Sequence, residues 1–507
     1  MSRKRALSSS SIDPIRVRQR GRLSVELKFR YVHRRGQTGR RQTHDADVYF
    51  FLPYSFNIGP DTYNRSQFYD SLKPYLRFDT PRLTVSELLS RTSRISPLVR
   101  IERMVRDARK NGAAIDPDAC IYNGKLLGCI YKSLLRDLLG GATGVTPNAP
   151  DRPVAPPDLR ESFRDAREIA RRFHRVVAVV QRKVKGPNAA VVQHMRMIDE
   201  HLSLLIEKYA ASHLGRSVET RNAAKESYVA RIIAKEITYR EKAGYPTVIR
   251  GKPNAAQLEE HIYREKILKR YASEVLFFDI RRKNTGKGAE QLLYAIAAGI
   301  AMIFATGAAF LGQTAYGKLS TALFIILVLS YMAKDRMKDF FRDIFRRTIG
   351  ARVFDRTARL HESRHRRTLA VVRERTSFVT ESRLDPDVRE FRNKGTFERS
   401  FASASSEKIF RYQKRVHLVT RAMNGIHPRI YGVADITIVD VGSFLRGLTS
   451  QSGLVASLSE HGSVELNQAR RIYHLNMVIH MRSGESNAFY RYRLIVDSTG
   501  ILRIEQA

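Results

Sequence analysis

Two histidines and a glutamate have the spacing of a zinc-protease motif. His361, Glu362 and His365 occur in the sequence HESRH, which fits the pattern H-E-x-x-H. On a helix the two imidazoles would share one face and bind Zn²⁺ while the glutamate activates a water molecule. Arginines surround the motif, however, and the longer metzincin pattern with a glycine and a third histidine is not present. We therefore assign these residues no catalytic or metal-binding role and retain a zinc metalloprotease only as an alternative.

The remaining sequence has no stretch with both the residues and the spacing that catalysis requires. Gly286-Lys287-Gly288 lacks the glycine spacing and the hydroxyl residue of a phosphate-binding loop. The two cysteines, Cys120 and Cys129, match neither a redox pair nor a zinc knuckle. We expect no cofactor, and the sequence favours a protein that is not an enzyme without deciding the question.

The most distinctive stretch is apolar. Residues 291–333 contain one charge, Lys318, in a chain whose formal net charge is +39. A helix rises about 1.5 Å per residue, so roughly 20 apolar residues cross a hydrocarbon core of about 30 Å. The stretch is too long for one span, and Gly312, Gly317 and Ser320 are typical of a turn. We predict two transmembrane helices, at about 292–311 and 319–333, joined as a hairpin.

Cations on both flanks predict the orientation of this hairpin. Arg281, Arg282 and Lys283 precede the first span, and Lys334 and Arg336 follow the second. The positive-inside rule places such flanks in the cytoplasm. We therefore predict a cell-membrane protein (an inner-membrane protein in a Gram-negative bacterium) with two spans and with cytoplasmic N- and C-termini.

Small residues form a stripe along the first span. Ala297, Ala301, Ala305 and Ala309 recur every four residues, and neither span has an ionisable residue in its interior. Small residues let helices approach closely in lipid. We expect the stripe to pack against the second helix of the same hairpin, and the alternative is a seam between copies of the chain. The lack of internal charge argues against an ion or proton pathway.

A basic amphipathic segment, 334–350, follows the second span. Apolar side chains occupy one face of the expected helix and cations surround them. This pattern is typical of a helix lying in the interface of an anionic leaflet, and the alternative is a helix docked on a cytoplasmic domain. The side chains assigned to the interface are Met337, Phe340, Phe341, Ile344 and Phe345, with the cations Lys338, Arg342 and Arg346.

The rest of the chain divides by its periodicity. We expect a disordered basic tail (1–20), a β-containing segment (21–83), short helices (84–140), a Gly- and Pro-rich linker (141–157), a helical bundle (158–280), a basic helical connector after the juxtamembrane helix (351–400) and an antiparallel-sheet α+β domain (401–507). The predicted fold class is an α+β membrane protein. It combines a cytoplasmic helical bundle, a two-helix transmembrane hairpin and a C-terminal antiparallel-sheet α+β domain.

These features favour a membrane-anchored, non-enzymatic protein. Its cytoplasmic domains are expected to bind an unidentified protein partner, the anionic headgroups of the lipid bilayer, or both. Besides the zinc protease, two alternatives stay open. One is a homo-oligomer that acts as a membrane effector and perturbs the bilayer. The other is a membrane-tethered nucleic-acid binder, which the net charge allows but which the diffuse distribution of that charge does not favour.

Overall fold

The computed structural model has a mixed α+β architecture. It describes residues 15–33, 41–111, 115–139, 158–183, 189–219, 223–283, 285–317, 321–348, 353–362, 367–393, 407–424, 426–450, 452–459, 462–484 and 486–506. These residues form two compact units. The first comprises the described residues within Met1–Leu76, Phe278–Met423 and Gly432–Ala507, and the second comprises those within Arg77–Phe277 and Asn424–Tyr431.

Fourteen strands and thirteen α-helices occur in the described chain. The strands are β1 (Arg16–Gln19), β2 (Ser24–Val32), β3 (Arg41–Leu52), β4 (Leu72–Phe78), β5 (Asp279–Lys283), β6 (Arg356–His361), β7 (Thr368–Val379), β8 (Lys408–Val419), β9 (Gly432–Asp440), β10 (Ser452–Leu458), β11 (Val464–Arg470), β12 (Tyr473–Ser483), β13 (Ser486–Asp497) and β14 (Gly500–Gln506). The helices are α1 (Arg65–Asp70), α2 (Val85–Leu89), α3 (Pro97–Asn111), α4 (Pro117–Leu139), α5 (Leu159–Lys183), α6 (Ala189–Glu219), α7 (Ala223–Lys242), α8 (Ala255–Ser273), α9 (Thr285–Tyr316), α10 (Thr321–Thr348), α11 (Pro386–Arg392), α12 (Thr420–Asn424) and α13 (Gly442–Leu445).

The first unit is built on an antiparallel sheet of eight strands, in the order β14-β13-β12-β3-β8-β7-β6-β5. A four-stranded sheet, β1-β2-β9-β4, packs against it. Contact between the sheets is visible where the Tyr31 ring of β2 lies 5.5 Å from the His44 ring of β3. Because β2 pairs with β9, and β3 lies between β8 and β12, the N-terminal strands belong to the same sheets as the C-terminal strands.

Two strands occupy much of the segment in which we expected a basic helical connector, 351–400. β6 and β7 form an antiparallel pair, and β7 pairs in turn with β8. The prediction of a helix over this segment was wrong because its many arginines concealed a period of two. In β7, buried Ala370 and Val372 alternate with Val371 and Arg373, which is the pattern of a strand with one buried face.

The second unit is a helical bundle whose members come from both sides of the 141–157 segment. α4 lies at its centre: a Cβ added at Gly128 would be 3.2 Å from Ala272 Cβ of α8 and 3.5 Å from His201 of α6. Tyr131 of α4 donates a hydrogen bond to the Ala166 carbonyl of α5, over 3.0 Å. The regions that we predicted separately as 84–140 and 158–280 therefore share one core.

Both cysteines lie inside this bundle. Cys129 donates a hydrogen bond from Sγ to the Ala272 carbonyl, and Cys120 Sγ lies 3.6 Å from Met195 Sδ. Burial raises the pKa of the Cys120 thiol to about 11 and that of Cys129 to about 12. Because the thiolate is the reactive form, neither thiol competes with an introduced exposed cysteine for a maleimide at neutral pH.

Candidate membrane-binding site

A long helical hairpin projects from one edge of the eight-stranded sheet. β5 is the edge strand and leads into α9, and α10 returns the chain to β6. β5 and β6 are antiparallel neighbours, with Lys283 opposite Thr357 and Asp279 opposite His361. The hairpin is therefore inserted between two adjacent strands, and this strand pair fixes the positions of both helix bases.

Contacts at the two ends of the hairpin show that α9 and α10 run antiparallel side by side. Near the turn, a Cβ added at Gly312 of α9 would lie 3.2 Å from Ile326 and 3.3 Å from Leu323 of α10. Near the base, the Arg342 guanidinium lies 4.6 Å from the centroid of the Tyr294 ring. These contacts also define which levels of the two helices lie beside each other.

The alanine stripe faces the second helix of the same hairpin. Ala297 and Ala301 are fully buried, and Ala305 and Ala309 are half-buried. At 3.6 residues per turn, these positions lie on the same side of α9 as Tyr294 and Gly312, which contact α10. The stripe therefore contributes to the packing of α9 on α10.

The outer surface of the hairpin is apolar and exposed. Ile303 and Leu311 of α9 and Phe324 of α10 are 75%, 73% and 67% exposed. A continuous apolar surface of this kind is rare on a soluble protein unless it is covered by lipid or by another molecule. Among the described residues, one helix is long and apolar enough to cross a membrane, α9 over Gln291–Ala315. The two-span arrangement stays a prediction, because the apolar part of α10, 321–333, is shorter than the roughly 20 residues that a membrane span needs.

The apolar segments of α9 and α10 do not lie at the same level along the hairpin. Since Tyr294 lies beside Arg342, and Gly312 beside Leu323 and Ile326, the charges of α10 from Lys334 onward run beside 291–302 of α9. The two helices lie side by side without a charged residue on either of them only where 303–315 of α9 meets 321–333 of α10. We call this part the uncharged belt; its thirteen residues per helix span about 20 Å. The remainder, 285–302 and 334–348, we call the stalk.

The segment predicted as a separate juxtamembrane helix is the stalk portion of α10. Because α10 runs without interruption from Thr321 to Thr348, no turn separates the predicted second span from the segment that follows it. Met337 and Phe341 are half-buried, whereas Phe340 and Ile344 are exposed, as are Lys338 and Arg342. The side chains of Phe345 and Arg346 lie outside the described part of the chain. The predicted interfacial residues therefore divide between an inner and an outer side of α10.

One face of the eight-stranded sheet is strongly basic beside the hairpin. Strand alternation and register place seven cations of β5–β8 on this face, opposite to the face of buried Leu360, Val372 and Val416. We call these cations the basic face: Arg281, Lys283, Arg359, Arg373, Arg375, Arg411 and Arg415. This surface was not predicted from the sequence, because its cations come from four strands separated along the chain.

Like charges oppose each other within the basic face. Arg281 is directly opposite Arg359, and Arg373 is directly opposite Arg415. The Phe354 ring lies within 6.0 Å of the guanidinium groups of Arg373, Arg375 and Arg415. Hydrogen bonding to Asp45 raises the pKa of Arg415, whereas burial and the nearby Arg411 lower the pKa of Arg375. Cross-strand like charges are unfavourable, so an anion bound here would relieve repulsion.

The repulsion predicts that a charge reversal stabilises the first unit. Arg281→Glu would place a carboxylate opposite Arg359, and we expect the unfolding free energy to rise by about 0.2–1 kcal/mol. Lys283→Glu is the matched control, because Lys283 lies opposite Thr357 and loses no like-charged neighbour. Thermal unfolding of both variants at low salt measures the difference. An Arg281→Glu variant no more stable than Lys283→Glu contradicts the proposed strain.

The zinc-protease motif does not have helical geometry at its first residue. His361 ends β6, and the Glu362 amide donates to the Arg367 carbonyl, over 3.0 Å, at the connection to β7. His365 lies outside the described residues. Within the described chain, no group of three or more His, Cys, Asp or Glu side chains is arranged to hold a metal ion. Neither His361 nor Glu362 lies on the helix that the motif requires.

No protein-family model matches the chain, and the searches of curated proteins and of solved structures found no significant similarity. Functional conclusions therefore depend on the hairpin, the sheet that carries it and the charges at its base.

Proposed function

We propose that this chain is a membrane-anchored protein whose α9–α10 hairpin is inserted in the bilayer. The observation that carries this proposal is the exposed apolar surface of the uncharged belt, which water would solvate poorly. Both helix bases attach to the same sheet edge, so the two flanks of the hairpin lie on one side of the membrane. The cations on those flanks support a cytoplasmic location for that side.

Two spans are the finer form of the proposal. The belt is about 20 Å long and a typical hydrocarbon core is about 30 Å thick, so the belt alone is too short. Lys318, which precedes α10 in the sequence, and Lys334 bound the belt on its two sides, and both can extend their ammonium groups towards the interfaces. Lys334 already lies 3.8 Å from the centroid of the Tyr331 ring. Leaving Lys318 inside the hydrocarbon would cost about 2.5–3.5 kcal/mol, which favours a turn that reaches the far surface.

The short belt gives specific support to a second function, a membrane effector that perturbs the bilayer. A hydrophobic stretch shorter than the hydrocarbon thickness is accommodated by local thinning of the bilayer, at a fraction of a kcal/mol for each Å of mismatch. Several such hairpins side by side would thin a continuous patch. Both functions require the same insertion of the hairpin. They differ in one respect: only the effector makes bilayers that contain the protein leaky.

Cysteine labelling tests the two-span topology. Gln313 is exposed near the turn, and the native thiols are buried. In sealed vesicles with the large domains inside, we expect Gln313→Cys to react with a membrane-impermeant maleimide added outside. An exposed cysteine in the first unit, Tyr75→Cys, should react only after permeabilisation. If Gln313→Cys is also protected until the vesicles are opened, the turn does not cross and the two-span form is wrong.

A further inference from the structure

A four-residue repeat of opposite charges runs along the stalk portion of α10. The sequence KDRMKDFFRD contains three basic–acidic pairs: Lys334-Asp335, Lys338-Asp339 and Arg342-Asp343. Residues four apart lie one above another on a helix. The repeat therefore forms a basic ribbon (Lys334, Lys338 and Arg342) beside an acidic ribbon (Asp335, Asp339 and Asp343).

Ion pairs between described side chains do not neutralise either ribbon along its length. Within each ribbon, like charges follow one another at i and i+4, an arrangement that destabilises an isolated helix. Asp339 lies three residues before Arg342, but Arg342 stacks on Tyr294 and forms no ion pair with Asp339. One ion pair joins the ribbons, between Lys334 and Asp335 at 3.9 Å. Among the described side chains, exposed Lys338 and Asp339 form none.

The acidic ribbon points away from α9, and the basic ribbon lies between the acidic ribbon and the α9 contact, where Arg342 stacks on Tyr294. Met337 and Phe341, the half-buried residues between successive charged pairs, lie on the side that continues the α9 contact from Leu323 and Ile326. The acidic ribbon and exposed Lys338 thus occupy the outer side of the stalk, immediately beyond the uncharged belt. With the hairpin inserted as proposed above, this side lies at the membrane surface, where neighbouring proteins meet laterally.

The surface that best complements two parallel ribbons of opposite sign carries the same two ribbons. Anionic headgroups would neutralise the basic ribbon but would be repelled by carboxylates one residue away. A second copy of this chain presents an acidic ribbon to the basic ribbon and leaves its own basic ribbon for a further copy. We propose that the stalk of α10 is a self-association surface that joins copies of this chain side by side in the membrane. This inference depends on the membrane insertion proposed above.

Contact of this kind is heterologous, because the basic ribbon of one copy meets the acidic ribbon of the next. Heterologous contacts generate rings or open chains rather than isolated pairs. The surface differs from the alanine stripe, which packs within the hairpin. Contact through this surface needs no rearrangement of α9, since Lys338, Arg342 and the three aspartates are already exposed and only Lys334 is half-buried.

Charge reversal tests the proposal with the full chain in lipid nanodiscs or vesicles. The acid-reversed variant carries Asp335→Lys, Asp339→Lys and Asp343→Lys, and the base-reversed variant carries Lys334→Glu, Lys338→Glu and Arg342→Glu. Chemical crosslinking should yield oligomers of the native chain. The oligomer yield of either variant alone should be lower by about tenfold or more. Oligomers should return when the two variants are reconstituted together, because their stalks are then oppositely charged.

Controls separate the possible failures. Replacing three exposed arginines of α5 (Arg164, Arg171 and Arg175) by glutamate changes the net charge as much as the base-reversed variant does. This control should leave the yield of oligomers unchanged. Flotation of each sample with liposomes reports insertion independently. A native chain that does not float contradicts the proposed function itself. A native chain that floats but stays monomeric, or an acid-reversed variant that crosslinks like the native chain, overturns the self-association surface. The acid-reversed variant is decisive, because Arg342 also contacts Tyr294 and its loss alters the hairpin.

Discussion

Lys414→Met should lower the unfolding free energy of the first unit by about 3–5 kcal/mol. Lys414 is 1% exposed, and its Nζ lies 2.5 Å from Asp435 Oδ2 and 3.7 Å from Glu374 Oε1. It also donates a hydrogen bond to Thr437 Oγ1, over 3.2 Å. Removing the ammonium group would leave buried Asp435 and half-buried Glu374 without their shared counter-ion. This cost is large because a buried charge regains no hydration in the folded state.

The surrounding hydroxyl groups do not compensate for the lost cation. Tyr31 donates to Asp435 over 3.1 Å, and Tyr412 donates to Glu374 over 2.6 Å. Burial, together with the carboxylate that each hydroxyl contacts, raises the pKa of both tyrosines well above the ordinary range. Both therefore stay protonated and serve as donors, but neither supplies positive charge.

Urea unfolding in detergent micelles, followed by circular dichroism, measures this loss. Lys414→Met/Asp435→Asn is the control, because it removes a carboxylate together with the cation and should recover much of the stability. Lys408→Met is a second control at an exposed position of the same strand. If Lys414→Met lowers the unfolding free energy by less than about 1 kcal/mol, then water or a changed conformation stabilises the carboxylates of Asp435 and Glu374 in place of the ammonium group.

Leu327→Arg should weaken membrane association by about 2.5–3.5 kcal/mol, or roughly 70- to 400-fold. Leu327 is an exposed residue near the middle of the uncharged belt on α10, where an arginine has the longest path to either interface. Liposome flotation over a range of lipid concentrations measures the change. Leu454→Arg is the matched control, because Leu454 is exposed on β10, outside the hairpin. Equal effects of the two substitutions would show that the belt is not in contact with hydrocarbon.

The location of the hairpin was predictable because 27 consecutive residues without charge, 291–317, stand out in a highly charged chain. The relative levels of the two helices were not. Their offset depends on side-chain contacts such as Arg342 with Tyr294, and no local pattern specifies these. Without the offset, the charges of α10 suggested a separate interfacial helix instead of a stalk.

β-structure was predicted less well where arginine is abundant. In β7, outward arginines concealed the alternation of buried residues, whereas β8 lies in the predicted antiparallel-sheet domain, 401–507. Lys414 occupies the same inward positions as Phe410, Tyr412 and Val416, so the period of two was present in the sequence. Its partner Asp435 lies in another strand of the other sheet, and only the fold brings the two charges together.

Tryptophan depth measurements test insertion of the uncharged belt most directly. The chain contains no tryptophan, so one introduced residue is the sole fluorophore of its kind. Leu327→Trp reports on the belt and Phe340→Trp on the stalk, and Tyr431→Trp is an exposed control in the second unit. In liposomes, we predict that Leu327→Trp has blue-shifted emission and is quenched most by lipids brominated near the bilayer centre. Phe340→Trp should be quenched only by bromines near the headgroups, and Tyr431→Trp by neither. Water-like emission from Leu327→Trp in protein that floats with the liposomes would contradict the account.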